Sequence, residues 1–395
     1  MIIQGGAQVP EIYLDNSATT KVRQEVVAAM VEAFQKNYGN PSSAHRRGQA
    51  AEQELKKARA AVAQVLAAGP EEICFTSGGT ESNNLAIFGL ARARVRQGRH
   101  LITTQAEHPS VLEAFRRLER EGFNVTYLPV DEEGMVVLHE LERALSPETI
   151  LVSTMHVNNE MGAVAPLEAI KAILDSAKPR PAWHIDAVQG FARLPLVPHR
   201  LGVDLVSLSG HKLQGPKGVG ALFVRRGLRL EAQLVGGGQE AGLRSGTENV
   251  PGIIGLGVAA RLMWAQHTEA MAHMGKLKSR LRERVQAEIP DTYANGPQDE
   301  RGAAHILNLS FLGIRGEVLL HALEEKGVYV STGSACSAHG ASVSHVLEAM
   351  NLAPSRCEGA LRFSFVPTNT EEEIDYTVEC LKEIVPELRL YTRRR

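Results

Sequence analysis

Residues 73–83, Ile73-Cys74-Phe75-Thr76-Ser77-Gly78-Gly79-Thr80-Glu81-Ser82-Asn83, decide how the chain is to be read. A short β-favouring run, Ile73–Thr76, makes a strand. Paired glycines turn the chain, and a helical stretch runs from Glu81 to about Gln97, ahead of Gly98. Strand, glycine turn and helix in that order form the repeating unit of an α/β sheet. The turn is also a phosphate cup in outline. Its glycines let backbone N–H groups approach an anion, the helix start adds positive potential, and Thr80 adds a hydroxyl. No Gly-Lys-Ser/Thr follows, so it is not a Walker loop. Taken alone, the same residues also suit an ordinary glycine turn before a helix cap.

The alternation continues on both sides. Upstream, residues 49–67 form an amphipathic helix that stops at Gly69-Pro70. Downstream, strands are expected at His100–Thr104, Val125–Pro129, Ile150–Met155, Trp183–Asp186, Asp204–Ser209 and Gly220–Arg225, with helices over 110–121, 137–145 and 167–177. This predicts a mainly parallel sheet covered on both faces, with ligands bound beyond the carboxyl ends of its strands. Residues 236–257 hold eight glycines in 22 positions, which suits a loop leading into a helix rather than a regular element. A long helix over about 256–288 follows. Strands near 305–311, 327–331 and 360–366, a helix at about 316–326 and another opening at Thr370 then suggest a smaller α+β domain from about residue 262.

Composition bounds the function. A chain of 395 residues, 44% apolar and 22% charged, can bury a core of its own and has room for two domains. A formal net charge of −2 gives no reason to expect DNA or an anionic membrane as the main partner. No apolar run reaches the roughly 18–20 residues of a membrane span. The start, MIIQGGAQVPEIYLDNS, lacks the pattern of a signal peptide, so the protein reads as cytoplasmic. The four cysteines, Cys74, Cys336, Cys357 and Cys380, have neither zinc-site nor disulfide-framework spacing, and no metal is expected.

Further motifs sit at expected strand ends. Ser207-Leu208-Ser209-Gly210-His211-Lys212 puts a lysine where a Schiff base with an aldehyde cofactor would be useful. Trp183-His184-Ile185-Asp186-Ala187-Val188-Gln189 ends a strand in an aspartate, able either to cap the next helix or to hold a pyridinium nitrogen protonated. Glu107-His108-Pro109 follows another strand, with an imidazole able to stack on a ring. Phosphate cup, aspartate, lysine and histidine together suggest pyridoxal 5′-phosphate (PLP). No single motif would.

Several segments occur in one order: Tyr13–Thr20, Gly39–Ser43, Phe75–Asn83, His156-Val157-Asn158-Asn159-Glu160, Ser209–Lys212 and Arg244-Ser245-Gly246-Thr247. In these the chain resembles the cysteine desulfurases of the NifS/IscS-like group, PLP enzymes of fold-type I related to class V aminotransferases, from about residue 11 to 385. The resemblance implies a large, mainly parallel seven-stranded sheet domain over 16–261. It also implies a smaller α+β carboxyl-terminal domain over 262–395 carrying a catalytic cysteine loop, and a segment 1–15 packed against it.

It further implies that Lys212 carries PLP, that Asp186 pairs with the pyridine nitrogen, and that His108 stacks on the ring and helps move protons. Gln189 and Asn159 would lie near the phenolic oxygen and the substrate. Gly79, Thr80, Ser209 and His211 would hold the phosphate, and Thr247 would reach the phosphate bound by the other subunit of a homodimer. Arg362 would hold the carboxylate of L-cysteine, a task suited to a bidentate guanidinium.

Ser331-Thr332-Gly333-Ser334-Ala335-Cys336-Ser337-Ala338 resembles the group's cysteine loop, making Cys336 the persulfide-forming nucleophile. Small residues on both sides suit a thiol that must reach a substrate and then an acceptor. The implied function is conversion of L-cysteine to L-alanine with sulfur passed to an acceptor protein, an iron–sulfur scaffold or a thiolation protein. The alternative is another class V PLP activity: an aminotransferase, a C–S lyase or a selenocysteine lyase.

Overall fold

The computed structural model describes residues 2–4, 7–332 and 344–392. Near the amino terminus β1 (Ile2–Gln4) and β2 (Ala7–Val9) pair antiparallel. Next, β3 (Ile12–Tyr13) pairs in parallel with β13 (Val328–Tyr329).

The main sheet has seven strands: β4 (Ile73–Thr76), β5 (His100–Thr104), β6 (Asn124–Leu128), β7 (Thr149–Met155), β8 (Ala182–Asp186), β9 (Leu205–Ser209) and β10 (Gly220–Val224). Their order is β4-β10-β9-β8-β7-β5-β6. All pairings are parallel except those of β10, which runs antiparallel to both β9 and β4. The expected mainly parallel seven-stranded sheet is therefore present, with one reversed strand. Residues along β8, β9 and β10 are buried throughout, as in a strand covered on both faces.

Alternation of side chains assigns the two faces. Cys74, Leu222 and Val224 pack with Leu85, Phe88, Val111 and Phe115 of α3 (Gly79–Ala93) and α4 (Pro109–Arg120). Ile73, Phe75, Ala221 and Phe223 point the other way. There they join Leu55 and Val62 of α2 (Arg46–Val65), residues of α5 (Leu138–Ala144), α6 (Leu167–Ser176) and α7 (Pro198–Leu201), and Leu256 of α8 (Val250–Ala265). The helix α1 (Gln24–Lys36) lies against α8.

In the rest of the chain α9 (His267–Glu288) and α13 (Glu371–Thr392) pack together. A second, antiparallel sheet has the order β11 (Thr292–Asn295), β12 (Ile306–Phe311), β14 (Ala360–Ser364). The helix α10 (Gly316–Glu325) precedes β13, while α11 (His345–Ala349) and α12 (Pro354–Glu358) precede β14.

Two expectations are corrected here. The single helix over 256–288 is two helices, broken at Gln266, whose φ of −114° and ψ of 7° are not helical. The glycine-rich loop is also shorter than expected, because Gly252, Gly255 and Gly257 belong to α8. A Cβ at Gly257 would lie 2.7 Å from the Ala58 Cα, and one at Gly255 would lie 3.0 Å from Met30 and Pro216. These glycines serve close packing, not chain reversal.

Candidate active site

The carboxyl ends of β4, β5, β8 and β9 open on one side of the main sheet, and β14 of the second sheet faces them across a cavity of about 380 Å³. Asp186 closes β8 and is 4% exposed. Its Oδ1 accepts the Val188 N–H at 3.0 Å, and its Oδ2 accepts from Asn83 Nδ2 at 2.7 Å. Lys212 follows β9 by one short turn, Gly210–Lys212. Its Nζ donates to the carbonyls of Ser17 at 2.5 Å and Ala18 at 2.7 Å. Arg193, buried behind them, donates to the carbonyls of Lys212 and Gln189 and so ties the two turns together.

The turn after β4 requires glycine. Gly78 has φ +155° and ψ −177°, a region closed to other residues. A Cβ at Gly79 would come within 2.7 Å of Val188 Cγ2. Opposite, Ser209 Oγ is buried with no partner among the described residues. His211 Nδ1 lies 3.3 Å from Thr19 Oγ1. Burial, helped by the charges of Lys212 and Lys217, pushes the His211 imidazole down to about 4, so it is a neutral ring at physiological pH.

His108 caps α4, its Nδ1 accepting the Ser110 N–H at 3.1 Å. Burial holds this imidazole below the usual histidine range. Asp186 opposes that effect, while Lys212 and His345 reinforce it. Gln189 Nε2 donates to the Ser17 carbonyl at 3.0 Å, and its Oε1 is buried without a partner among the described residues.

Arg362 sits in mid-β14, 3% exposed, with its guanidinium at the cavity. Nη1 donates to the Asn159 carbonyl and Nη2 to Asp15 Oδ1, each at 2.9 Å, while Nε is buried with no partner among the described residues. A guanidinium held in one plane with donors to spare suits a carboxylate ligand.

All but two of the expected site residues line this cavity. Thr247 is exposed and lies outside it. Cys336 lies outside the described residues. The chain does show what flanks residues 333–343. Ser331 exchanges two backbone hydrogen bonds with Arg362, and Ser344 Oγ donates to the buried Glu160 at 2.6 Å. Sequence reasoning passed over Asn83, Ser110, Asp15 and Arg193. Of these, Asn83 and Asp15 stood within quoted motifs without a role, and Ser110 and Arg193 carried no local signal.

A buried aspartate and a lysine at the carboxyl edge of such a sheet, beside a glycine cradle, define the site of a fold-type I PLP enzyme. The chain belongs to the aminotransferase class-V family, which it matches over residues 12–377. It is 46% identical over 379 residues to the protein named cysteine desulfurase IscS of Methanosarcina thermophila, covering 96% of this chain and 93% of that one. The solved structure of a NifS-like protein superposes with a TM-score of 0.91 at 40% identity, over 96% of this chain and all of the other. A structure described as SspA in complex with cysteine gives 0.79 at 35% identity, over 91% of this chain and all of the other.

Enzymes of this family depend on PLP, and the residues present fit that cofactor. The glycine cradle has no room for a side chain at Gly79, and the orphaned Ser209 Oγ and Gln189 Oε1 are polar atoms awaiting a partner.

Proposed function

We propose that the protein is a PLP-dependent cysteine desulfurase, which takes sulfur from L-cysteine onto Cys336 and releases L-alanine. The observation that carries this reading is the convergence of Lys212, Asp186 and Arg362 on one cavity. Gly79, Thr80, Ser209 and His211 would hold the phosphate, Asp186 the ring nitrogen and Lys212 the aldehyde carbon. Bound there, PLP supplies an electron sink for negative charge developing at the substrate Cα.

Arg362 holds the substrate carboxylate with the donors that Asp15 and the Asn159 carbonyl leave available. Asn159 and Gln189 border the same space. Lys212 Nζ removes and returns protons at the substrate carbon, and His108 presents its imidazole to the ring and the reacting atoms. The Cys336 thiolate attacks the substrate sulfur. A sulfur–sulfur bond forms and the Cβ–S bond breaks. Its electron pair stays with carbon and is neutralised by a proton, giving alanine and an enzyme persulfide.

Cys336→Ala is expected to keep the visible absorbance of the bound cofactor and to lose alanine formation from cysteine. Undiminished alanine from that variant would overturn the assignment. Lys212→Ala should lose the absorbance band and turnover together. Pyruvate in place of alanine would mark a C–S lyase instead.

The protein would act as a homodimer in which Thr247, exposed and outside its own chain's cavity, completes the partner's phosphate site. The persulfide would pass to an acceptor protein, an iron–sulfur scaffold or a thiolation protein. No helix among the described residues is long and apolar enough to cross a membrane. The setting proposed for this chemistry is the cytoplasm.

A further inference from the structure

Asn83 is 1% exposed on α3, and its amide joins two residues of the site. Nδ2 lies 2.7 Å from Asp186 Oδ2 and 2.9 Å from Ser110 Oγ. A carboxylate oxygen only accepts, so Nδ2 and not Oδ1 faces Asp186, and the amide orientation is settled by chemistry. One N–H goes to Asp186 and the other to Ser110. The Ser110 backbone N–H, 3.1 Å from His108 Nδ1, can only donate, which makes that nitrogen an acceptor, so the Ser110 hydroxyl 2.8 Å away sends its own proton to it too. Two donors aimed at Nδ1 leave no place for a proton on it, so the ring proton sits on Nε2.

We propose that Asn83 and Ser110 are positioning residues that link Asp186 to His108 and set the tautomer in which His108 meets cofactor and substrate. The inference rests on the reading of this cavity as a PLP site. His108 enters the reaction as a hydrogen donor at Nε2. It takes a second proton at Nδ1 only when both Ser110 donors let go. The charged and titratable groups facing the ring are Asp186, Lys212, His211 and His345, and of these only Asp186 favours the protonated form.

Holoenzyme carrying isotopically labelled histidine reports both ring nitrogens by NMR, and His108 is identified as the signals missing from His108→Gln. The unaltered protein should show a pyridine-type Nδ1 and a pyrrole-type Nε2. Ser110→Ala should raise the His108 titration midpoint by about 0.5–1 unit and weaken the preference for this tautomer, since one of the two hydrogen bonds to the neutral ring is lost. Ser110→Thr should restore the original state. Asn83→Ala should shift the midpoint the same way by less, and the double variant should match Ser110→Ala alone. A pyrrole-type Nδ1 in the unaltered protein, no change in Ser110→Ala, or additive shifts would overturn the link. Should Asn83→Ala not fold, the two Ser110 variants decide the matter. Because the readout is a tautomer and not turnover, its failure is distinct from a failure of the desulfurase reading, which alanine formation reports.

Discussion

Glu107, next to His108, has no solvent exposure. Its Oε1 accepts from the Met155 N–H at 2.8 Å and from Thr104 Oγ1 at 3.1 Å, while Oε2 has no partner among the described residues. Burial, reinforced by the charge of Asp186, pushes its carboxyl up to about 8, so near neutral pH it is mostly protonated. The unfolded chain keeps that proton only below about 4.3. Folding therefore takes up a proton between these limits, and this contribution to stability is full at low pH, falls through the window and is gone above about 8. Relative to Glu107→Gln, the wild type should lose on the order of 5 kcal/mol across that window, measured as urea midpoints against pH. His156, His184 and His211, pushed down to about 4, 3 and 4, give the opposite slope below about 6.5 in both proteins alike and so cancel in the comparison. Parallel curves would mean that Glu107 is ionised in the fold. Residues such as Lys212, Asp186 and His108 were legible in the sequence because each stands at a strand end inside a local motif. Asn83 and Asp15 were not, because their partners lie 103 and 347 positions away and only folding brings them close.

Among the elements, α8 shows where local pattern and tertiary packing part company. Its glycines read as a loop because glycine lowers helix propensity, yet Gly257 packs against Ala58 of α2 and Gly255 against Met30 of α1. Gly257→Ala should therefore destabilise the protein by about 1–3 kcal/mol although alanine is the better helix former, with a lower urea midpoint as the readout. An unchanged or raised midpoint would show that the two helices can separate freely. The strands were legible for the converse reason, since runs such as Leu205–Ser209 are buried on both faces and read alike in any register. The reversal of β10 was not, because direction is set by pairing and not by composition. The helix α1 carried little signal, since it buries only Val26 and Ala33 and leaves Val27, Val31 and Phe34 exposed.

Across the whole molecule, residues 12–20 act as a stitch between the two sheets. Ile12 and Tyr13 pair with β13, the Leu14 carbonyl accepts the Ser364 N–H, and Asp15 meets Arg362. A few residues later the carbonyls of Ser17 and Ala18 receive Lys212, and Thr20 Oγ1 donates to the His211 carbonyl. The groups proposed to hold the substrate carboxylate and the cofactor thus share one backbone support. The described cysteines stand apart from this stitch. Cys74, Cys357 and Cys380 are all buried, and burial raises each thiol above its ordinary range, Cys74 to about 12. Thiolates are the reactive form, so these three are silent toward alkylating reagents while the fold persists. A native alkylation assay then becomes a stoichiometric counter: one equivalent per chain, none in Cys336→Ala, and a mass increment of one sulfur in the labelled peptide after exposure to cysteine. More than one equivalent in the folded protein would mean that a buried thiol is opening. Within that limit, the sulfur in transit can be weighed on the intact enzyme without identifying its acceptor.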